Sequence, residues 1–532
     1  MTVSFEILFV AAENDALSGG KVGGVGDVVR DVPPALAALP EFAGSVSVVV
    51  PSYGFLHREP LRSLGTIEFS FAGVAETAEL FEVRGKRPTE RVRQLVLHHE
   101  KFEFLDPQTN KHRIYCDDPP DAPFATDSTR FALFCAAVAE GLIQGRFGAI
   151  NRLHLHDWHC GTLLVLREFN PRYALLKTIR TAFTIHNIAL QGVRPVRGEV
   201  SSLEEWFPDL DYRFPVVADP DYIDCFNPMA VGIRLADRVH VVSPSYAEEI
   251  CEPSRPGRNH PQCVFFGGEG LEGDLQQARA QGRLVGILNG CEYSSASPAP
   301  VPSDVGWQTL LSTLITELEK WTAASPSPRH HIALRRLRSW QQQARPNVVM
   351  TSVTRVVDQK VRLMRYPEGP SPIERLLARS ADDAVYIMAG TGDGQYESFF
   401  AELAELYENF VFVNGFSIKG ADTLYEHGDL FLMPSAFEPC GISQMLAMRA
   451  GQPCVVHAIG GLKDTVQHMQ TGICFSGSTP EELGLNFVDQ TLRAIRAQCN
   501  KPADFAQIRA GARAQRFLWE DSVRQYVERL YR

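Results

Sequence analysis

One carboxylate, Glu438, lies where a run typical of a buried strand meets a run typical of a helix. The strand pattern is DLFLMPS (429–435), and the helical pattern covers 442–448. Parallel α/β proteins usually bind their ligands at such a turn. The first amides of the helix, together with Ser443, would bind a phosphate, and the same helix terminus would favour an ionised Glu438. The stretch therefore predicts an anion site beside a fixed carboxylate.

Two cations follow a strand pattern earlier in the same half of the chain. Arg355 and Lys360 lie five positions apart in TSVTRVVDQK (351–360). Both would reach one diphosphate, Arg355 as a planar fork and Lys360 as a point charge. Glycine-rich turns at 389–397 and 459–466 would let the backbone approach the same ligand.

A glycine-rich turn also follows the first strand pattern of the chain. It reads SGGKVGGVGDVVRDVP (18–33), and a helix is expected to begin near Asp27. Free amides at the start of that helix would point at an anion, and Lys21 adds a positive charge. Val22 stands where a P-loop needs a magnesium-binding hydroxyl, and the spacing is not that of a dinucleotide-binding turn. Phosphate binding is favoured here, and a plain tight turn is the alternative.

Polar side chains end two neighbouring strand patterns, HLHDWH (154–159) and TIHNIALQG (184–192). Asp157 and His186 would lie at the same edge of a parallel sheet, where together they suggest a polar site. The alternative is that His186 is a hydrogen-bonded histidine of the core.

A metal site at these histidines is not expected. His154 and His156 share one face of the strand because side chains alternate along it. Trp158 and the turn of the chain separate His159 from the other two, so the histidines lack a closed set of metal ligands.

The composition is that of an ordinary globular protein with more than one domain. The chain has 532 residues, of which 45% are hydrophobic and 22% charged, and a net charge of −11. That length is too great for one compact core, and that charge disfavours nucleic acid as a partner. No apolar run reaches the ~18 residues of a membrane span, and the N-terminus reads as a strand and not as a signal peptide. The 11 scattered cysteines lack a C-x-x-C pair, which predicts free thiols and a cytoplasmic location.

Unbroken apolar strand patterns alternate with helical patterns in two sets, which indicates parallel sheets covered on both faces. The predicted fold class is α/β, with two doubly wound Rossmann-like domains that face each other across a cleft. The first set of strands is 4–12, 45–51, 152–157, 179–187 and 237–244, and the second is 347–354, 384–390, 409–416, 429–435 and 453–461.

A Pro/Ser/Ala stretch, SSASPAPVPSD (294–304), indicates the join between the domains. The segment around it should hold an amphipathic helix at 305–322 and a basic helix at 329–344 that serves as a solvated surface face. The predicted parts are an N-terminal domain (1–292), a linker with these two helices (293–345), a C-terminal domain (346–510) and a last helical segment (511–532).

Several motifs, in this order along the chain, resemble the bacterial glycogen synthases and the plant starch synthases. They cover most of the chain outside 55–150 and 292–345. The resemblance implies the GT-B glycosyltransferase fold, in which the last helix, within 511–532, crosses back to the first domain. The motifs are KVGGVGDVV, HLHDWH, TIHNIALQG, VVSPSYAEEI, GILNG, AGTGDGQYE, FLMPSAFEPCGISQMLAMRAGQP and GGLKDTV.

The resemblance implies transfer of glucose from ADP-glucose to the 4-hydroxyl at the non-reducing end of an α-1,4-glucan. The anomeric configuration would be retained, and no metal or other cofactor would be required. Membranes and nucleic acids are not expected partners.

The resemblance also implies roles for single residues. Asp157 and His186 would face the glucosyl group, and Arg355 and Lys360 would neutralise the departing ADP. Glu438 would lie against the transferred sugar. The expected catalytic residues are thus Asp157, His186, Arg355, Lys360 and Glu438, and the expected donor-binding residues are Lys21, Gly23, Gly24, Gly392, Tyr396, Cys440, Gly441, Ile442 and Ser443.

Leu446 stands where many related transferases carry a second glutamate. A front-face mechanism, in which the leaving phosphate takes the acceptor proton, is therefore favoured over a covalent double displacement. Thr354, Val361 and the pair Cys291–Glu292 depart from the family pattern near the expected hinge. The open alternatives are a retaining transferase that uses UDP-glucose or a non-glucan acceptor, and a non-catalytic glucan-binding paralogue.

Overall fold

The computed structural model describes residues 4–107, 109–256, 263–293, 303–365 and 369–532. The chain divides into two compact units. Unit 1 comprises Met1–Pro253, Gly267–Gly290 and Trp519–Arg532, and unit 2 comprises Ser254–Phe266 and Cys291–Leu518. None of the helices in the described ranges combines the length and the apolar character that a membrane span requires.

This division differs from the predicted one in two places. The predicted linker falls within unit 2, and so does Ser254–Phe266, which the prediction placed in the N-terminal domain. Most of the Pro/Ser/Ala stretch, residues 294–302, lies outside the described residues.

Unit 1 is built around a largely parallel sheet. Among its described residues the main sheet has the strand order β11-β10-β7-β6-β1-β2-β5-β4-β3, and β8 pairs with β9 alone. β4 runs antiparallel to β3 and β5, and the other neighbours in the main sheet run parallel. The strands are β1 (Glu6–Val10), β2 (Ser45–Pro51), β3 (Pro60–Phe71), β4 (Val74–Val83), β5 (Val92–His98), β6 (Arg152–His156), β7 (Arg180–Ile185), β8 (Arg194–Pro195), β9 (Cys225–Phe226), β10 (Arg238–Val241) and β11 (Leu284–Gly286).

The helices of unit 1 connect these strands. The first of them begins at Gly24, three residues earlier than expected, with Gly23 in extended conformation as its N-cap residue. They are α1 (Gly24–Ala38), α2 (Ala125–Ile143), α3 (Gly161–Phe169), α4 (Leu203–Trp206), α5 (Phe214–Val217), α6 (Pro228–Leu235), α7 (Pro244–Glu249) and α8 (Glu272–Ala280).

Unit 2 contains a second parallel sheet. Its order in the described residues is β14-β13-β12-β15-β16-β17, with every pairing parallel. The strands are β12 (Val348–Val353), β13 (Ala384–Gly390), β14 (Phe410–Asn414), β15 (Leu430–Met433), β16 (Cys454–His457) and β17 (Gly472–Phe475). The helices are α9 (Asp304–Ala324), α10 (Pro328–Gln341), α11 (Asp358–Arg365), α12 (Pro372–Ser380), α13 (Gly394–Leu406), α14 (Ile418–His427), α15 (Ser443–Arg449), α16 (Gly460–Thr465), α17 (Pro480–Asn500) and α18 (Pro502–Ala514).

The predicted linker helices, α9 and α10, pack on the sheet of unit 2. Trp307 of α9 and Trp340 of α10 belong to one apolar cluster with Val349 of β12. The basic helix exposes Arg335 and Arg338, in keeping with the expected solvated face. Its other side was not predicted and buries Leu334, Leu337 and Trp340.

The last described segment of the chain lies in unit 1. It consists of α19 (Trp519–Gln525) and one π-helical turn, Tyr526–Tyr531. The indole N–H of Trp519 donates to Asp31 at 3.2 Å, and the Ser522 hydroxyl donates to the Leu288 carbonyl at 2.6 Å. These contacts tie the end of the chain to the rest of unit 1.

Candidate active site

Asp157 and His186 lie together at the carboxyl edge of the sheet of unit 1. They follow the parallel neighbours β6 and β7 directly. The Asp157 amide donates to the Thr184 carbonyl at 2.8 Å, and the His186 amide donates to Asp157 Oδ1 at 2.7 Å. Asp157 has a φ of 56°, so the chain turns sharply at the strand end and directs this carboxylate across to the next strand. The pair predicted from strand periodicity is therefore brought together.

Burial controls the charge of both groups. It raises the pKa of Asp157 to about 7, although hydrogen bonds from the backbone at His186 and Asn187 act in the opposite direction. It lowers the pKa of His186 to about 3, so this imidazole is neutral near pH 7. The edge thus presents a neutral ring beside a carboxyl group that is partly protonated at neutral pH.

The other histidines of the HLHDWH motif are buried and serve the interior of unit 1. His156 Nδ1 lies 2.9 Å from His186 Nε2, and His154 Nδ1 lies 2.7 Å from the Tyr531 hydroxyl. His159 stacks on Trp158 with ring centroids 4.2 Å apart. Within the described ranges, no three His, Cys, Asp or Glu side chains converge in a way that would hold a metal ion.

A residue that sequence reasoning missed, Glu13, fills the glycine-rich turn. One of its carboxylate oxygens accepts hydrogen bonds from the amides of Val22 and Gly23 at 2.7 and 2.6 Å. The other oxygen accepts from the Tyr115 hydroxyl at 2.7 Å. The Gly23 amide, predicted to bind the donor, thus holds an internal carboxylate, while the space beside Gly24 is open. The position of Glu13 just after the first strand is the sequence feature that could have indicated its place at this edge of the sheet.

Lys21 lies at the surface of the same turn. Its ammonium group is 2.7 Å from Asp27 Oδ1, and its side chain is 37% exposed. An exposed pair of this kind contributes little to stability, so the lysine can exchange its partner for a ligand at small cost.

In unit 2, Glu438 forms an ion pair with Lys360. Glu438 is 5% exposed, and the Ser435 hydroxyl donates to the same carboxylate oxygen at 3.1 Å. The Gly461 amide donates to the Glu438 carbonyl at 3.0 Å, which joins this turn to the start of α16. Ser435 and the pairing with Lys360 were not predicted.

Arg355 and Lys360 have different surroundings, although both were predicted to bind one diphosphate. Lys360 is directed inward to Glu438, with 13% of its side chain exposed. Arg355 is exposed, and its side chain has no hydrogen bond or ion pair with any residue in the described ranges. The structure does not bring the two cations into contact, and only Arg355 is free to meet an anion without losing a partner.

The turn from Cys440 to Ser443 is held by the side chain of Gln444. α15 begins at Ser443, one residue later than the sequence pattern suggested, and Gly441 adopts a positive φ of 77°. The side-chain amide of Gln444 donates to the carbonyls of Cys440 and Gly441, both at 3.0 Å. Ile442 is the N-cap residue of this short helix. The predicted donor-binding residues of this turn therefore form one rigid loop.

The turn after β13 approaches the turn between β12 and α11, which carries Arg355. A Cβ atom at Gly392 would lie 2.3 Å from the Val356 carbonyl oxygen, so only glycine fits there. The Gly392 amide donates to Glu397 at 2.8 Å. The Tyr396 hydroxyl donates to Asp358, and this contact links α13 to the start of α11.

Comparison with known proteins gives consistent matches along the chain. The profile described as starch synthase catalytic domain matches residues 6–277, and that of glycosyl transferases group 1 matches residues 372–488. A glycogen synthase of Streptococcus equi subsp. equi is 31% identical over 535 residues, covering 98% of each chain. A glycogen synthase of Gloeobacter violaceus is 32% identical, covering 87% of this chain and 84% of that one.

Solved structures share the fold. The catalytic domain of starch synthase IV from Arabidopsis thaliana, bound to ADP and acarbose, superposes with a TM-score of 0.73 at 23% identity and covers 99% of each chain. A sucrose-phosphate synthase from Thermosynechococcus elongatus superposes with a TM-score of 0.52 at 16% identity and covers 98% of each chain.

Proposed function

The chain belongs to the glycogen and starch synthase family, and from this premise we propose that it uses ADP-glucose to extend an α-1,4-glucan. Glucose would be added to the 4-hydroxyl at the non-reducing end, with retention at the anomeric carbon. The predicted family and the predicted GT-B fold are confirmed, and the protein is a glycosyltransferase. ADP-glucose and the glucan acceptor are supported by the names of the relatives and by the ADP bound to the Arabidopsis enzyme.

The observation that carries the proposal is the buried pair of Glu438 and Lys360 at the carboxyl end of β15. A carboxylate held beside an ammonium group offers two complementary contacts, one for sugar hydroxyls and one for phosphate oxygens. Ser435 and Gly461 fix the position of Glu438, so the contacts are made without reorganisation of the loop.

The donor diphosphate would be bound by cations and not by a metal ion. Arg355 is exposed and unpaired in the described part of the chain, and Lys360 exchanges part of its contact with Glu438 for a phosphate oxygen. Lys21 and the open backbone beside Gly24 are the further donor contacts of unit 1. Charge that develops on the departing ADP is then stabilised by groups already in place.

The transfer step is a substitution on one face of the sugar. The bond between C1 and the phosphate oxygen breaks, and the bond between C1 and the acceptor 4-oxygen forms on the same face. The proton of the acceptor hydroxyl goes to the departing phosphate oxygen. Glu438 orients a hydroxyl of the transferred glucose and forms no covalent bond to the sugar, because its carboxylate is engaged by Lys360 and Ser435.

The residues of unit 1 act on the glucosyl group by hydrogen bonding. His186 is neutral near pH 7 and cannot stabilise charge as an imidazolium. Asp157 fixes the His186 backbone through its amide and offers a second carboxyl oxygen to a sugar hydroxyl. None of the 11 cysteines forms a disulfide among the described residues, which supports a reducing compartment such as the cytoplasm as the place of action.

One assay tests the proposal. The protein is incubated with ADP-glucose or UDP-glucose, with and without glycogen, and released nucleoside diphosphate and glucan chain length are measured. We expect ADP release that depends on glycogen and chains lengthened by α-1,4-linked glucose, with Lys360→Ala as the inactive control. Release of UDP and not of ADP would identify UDP-glucose as the donor. Glycogen binding without release of nucleoside diphosphate from either donor would favour a non-catalytic paralogue.

A further inference from the structure

His156 and His186 share one hydrogen bond inside unit 1. His156 Nδ1 and His186 Nε2 are 2.9 Å apart, and the rings are stacked with centroids 5.2 Å apart. His156 is fully buried, and His186 is 9% exposed. A neutral imidazole has one N–H and one lone pair, so one ring must donate and the other must accept.

Both rings are neutral, so the direction of this bond fixes every proton on the pair. Burial lowers the pKa of each ring well below its usual range. If His156 donates from Nδ1, its Nε2 holds a lone pair and the proton of His186 lies on Nδ1. If His186 donates from Nε2, the proton of His156 lies on Nε2 and His186 Nδ1 holds the lone pair.

The far nitrogen of His156 decides between these arrangements. His156 Nε2 is buried and has no hydrogen-bond partner among the described residues. A buried N–H without an acceptor is rare and costly, whereas an unused lone pair is tolerated more often. We infer that His156 donates from Nδ1 and thereby holds His186 in the tautomer whose Nδ1 carries the hydrogen.

The neighbouring histidines, His240 and His154, belong to a separate chain of hydrogen bonds. The Ile287 carbonyl can only accept, so His240 donates to it from Nε2 at 3.4 Å and accepts from the Thr184 hydroxyl at 2.9 Å. The Thr184 oxygen then accepts from His154 Nε2 at 2.5 Å. His154 Nδ1 accepts from the Tyr531 hydroxyl at 2.7 Å. This chain of four bonds has one direction throughout.

That chain does not include His156, whose ring makes one side-chain hydrogen bond among the described residues, the bond to His186. His154 contacts His156 by stacking, with ring centroids 4.5 Å apart, and Phe9 stacks on it at 5.3 Å. Neither neighbour offers an acceptor to His156 Nε2. The His156 ring is therefore held in place by stacking and directs its one N–H to His186.

The consequence rests on the proposed function. His186 Nδ1 makes no hydrogen bond to any described residue, and the ring, 9% exposed, lies at the carboxyl edge of the sheet. With a hydrogen on Nδ1, His186 donates to the oxygen of a sugar hydroxyl and does not act as a general base. His156 is then a positioning residue, since it acts on the sugar only through His186.

The tautomer is read directly by nitrogen NMR of protein in which the 15 histidines carry ¹⁵N. Comparison with His186→Gln assigns the His186 signals. We expect a protonated Nδ1 and an unprotonated Nε2 in the unmodified protein. His156→Asn keeps an N–H near the position of Nδ1 and should leave this pattern unchanged, whereas His156→Leu removes the donor and should release the proton to exchange between both nitrogens.

Activity supplies an independent measurement. His156→Leu should lower kcat/KM about tenfold, the value of one neutral hydrogen bond, and His156→Asn should stay within about threefold of the unmodified enzyme. The loss in His156→Leu should disappear with the one deoxyglucosyl donor that lacks the hydroxyl contacted by His186. Thr184→Val is the matched control, because it breaks the neighbouring chain at the same depth and should lower stability without changing the His186 signals.

Each outcome bears on the inference. An unprotonated Nδ1 in the unmodified protein overturns it, and so does a His156→Asn variant as impaired as His156→Leu, which would make the role one of packing. If His156→Leu does not fold, the NMR of the unmodified protein and of His156→Asn decides. A protonated Nδ1 in a protein that transfers no glucose would uphold the tautomer and refute the proposed function.

Discussion

The two units hold equally buried carboxylates by opposite means. Asp157 in unit 1 and Glu438 in unit 2 are each 5% exposed. Asp157 accepts a hydrogen bond from the backbone amide of His186 and lies beside neutral histidines. Glu438 instead forms an ion pair with the ammonium group of Lys360. A neutral environment favours the protonated carboxyl and makes the first site sensitive to pH, while an ion pair makes the second site sensitive to the loss of its partner.

The largest effect should follow Lys360→Ala. The substitution removes a charge contact to the departing diphosphate, so turnover should fall by about 10² or more. It also leaves Glu438 buried and unpaired, so the free energy of unfolding should fall by about 3 kcal/mol. Steady-state kinetics and urea unfolding measure the two effects separately.

Arg355→Ala is the matched control for that variant. Arg355 is exposed and unpaired within the described residues, so its loss should lower turnover by about 10² and change the free energy of unfolding by less than about 0.5 kcal/mol. Equal destabilisation by both substitutions would contradict the contrast between the two cations.

The pH dependence of stability should reveal the raised pKa of Asp157. The folded pKa of Asp157 is about 7 against an ordinary value of 3.8, so between these values the folded protein binds the extra proton. Stability contributed by this group therefore falls as pH rises, by up to about 4 kcal/mol. Asp157→Asn cannot lose stability in this way, because its side chain does not titrate. The difference in free energy of unfolding, variant minus unmodified protein, should therefore rise from pH 4 to pH 7.

This difference should then level off above neutral pH. The lowered pKa of His186 acts in the other direction, raising stability with pH, but it is common to both proteins and cancels in the comparison. Urea unfolding at half-unit steps of pH measures the curve. A difference that does not change with pH would mean that Asp157 is ionised throughout.

A smaller effect is expected from Glu438→Gln. The amide still accepts a hydrogen bond from Ser435 and still meets a sugar hydroxyl, so donor affinity should persist and turnover should fall roughly tenfold. Rapid quench with donor alone, followed by mass spectrometry of the unmodified enzyme, should find no glucosyl group on the peptide that contains Glu438. Such an adduct, with complete loss of transfer in the variant, would establish a covalent nucleophile.

The parallel strands could be predicted from the sequence because they are buried on both faces and therefore read as unbroken apolar runs. The strand Ala384–Gly390 has the predicted bounds, and Arg152–His156 is one residue shorter than predicted. The antiparallel pair Pro60–Phe71 and Val74–Val83 was not predicted. Many of its residues are exposed, so the sequence there carries little of the apolar signal.

The positions of the site residues followed from the period of the strands, but their partners did not. Asp157 and His186 had to meet because parallel neighbours end at the same edge. The filling of the glycine-rich turn by Glu13, and the pairing of Lys360 with Glu438, depend on which side chains the folded backbone brings within hydrogen-bonding distance. A pattern of residue types contains no such information, and the same holds for the buried face of α10.

Removal of divalent metal ions should leave the rate of glucose transfer unchanged, because side chains of unit 2 are proposed to neutralise the donor diphosphate. If Arg355 and Lys360 neutralise the diphosphate, a divalent cation has no task there, and transfer after treatment with EDTA should stay within about twofold of the untreated rate, as for charge stabilisation by fixed side chains. The matched measurement adds magnesium or manganese to the EDTA-treated protein and should give no gain. Loss of most activity with EDTA and its return with a metal ion would assign the diphosphate charge to that ion. The contrast between the neutral surroundings of Asp157 and the ion pair of Glu438 would then hold only for the ligand-free protein.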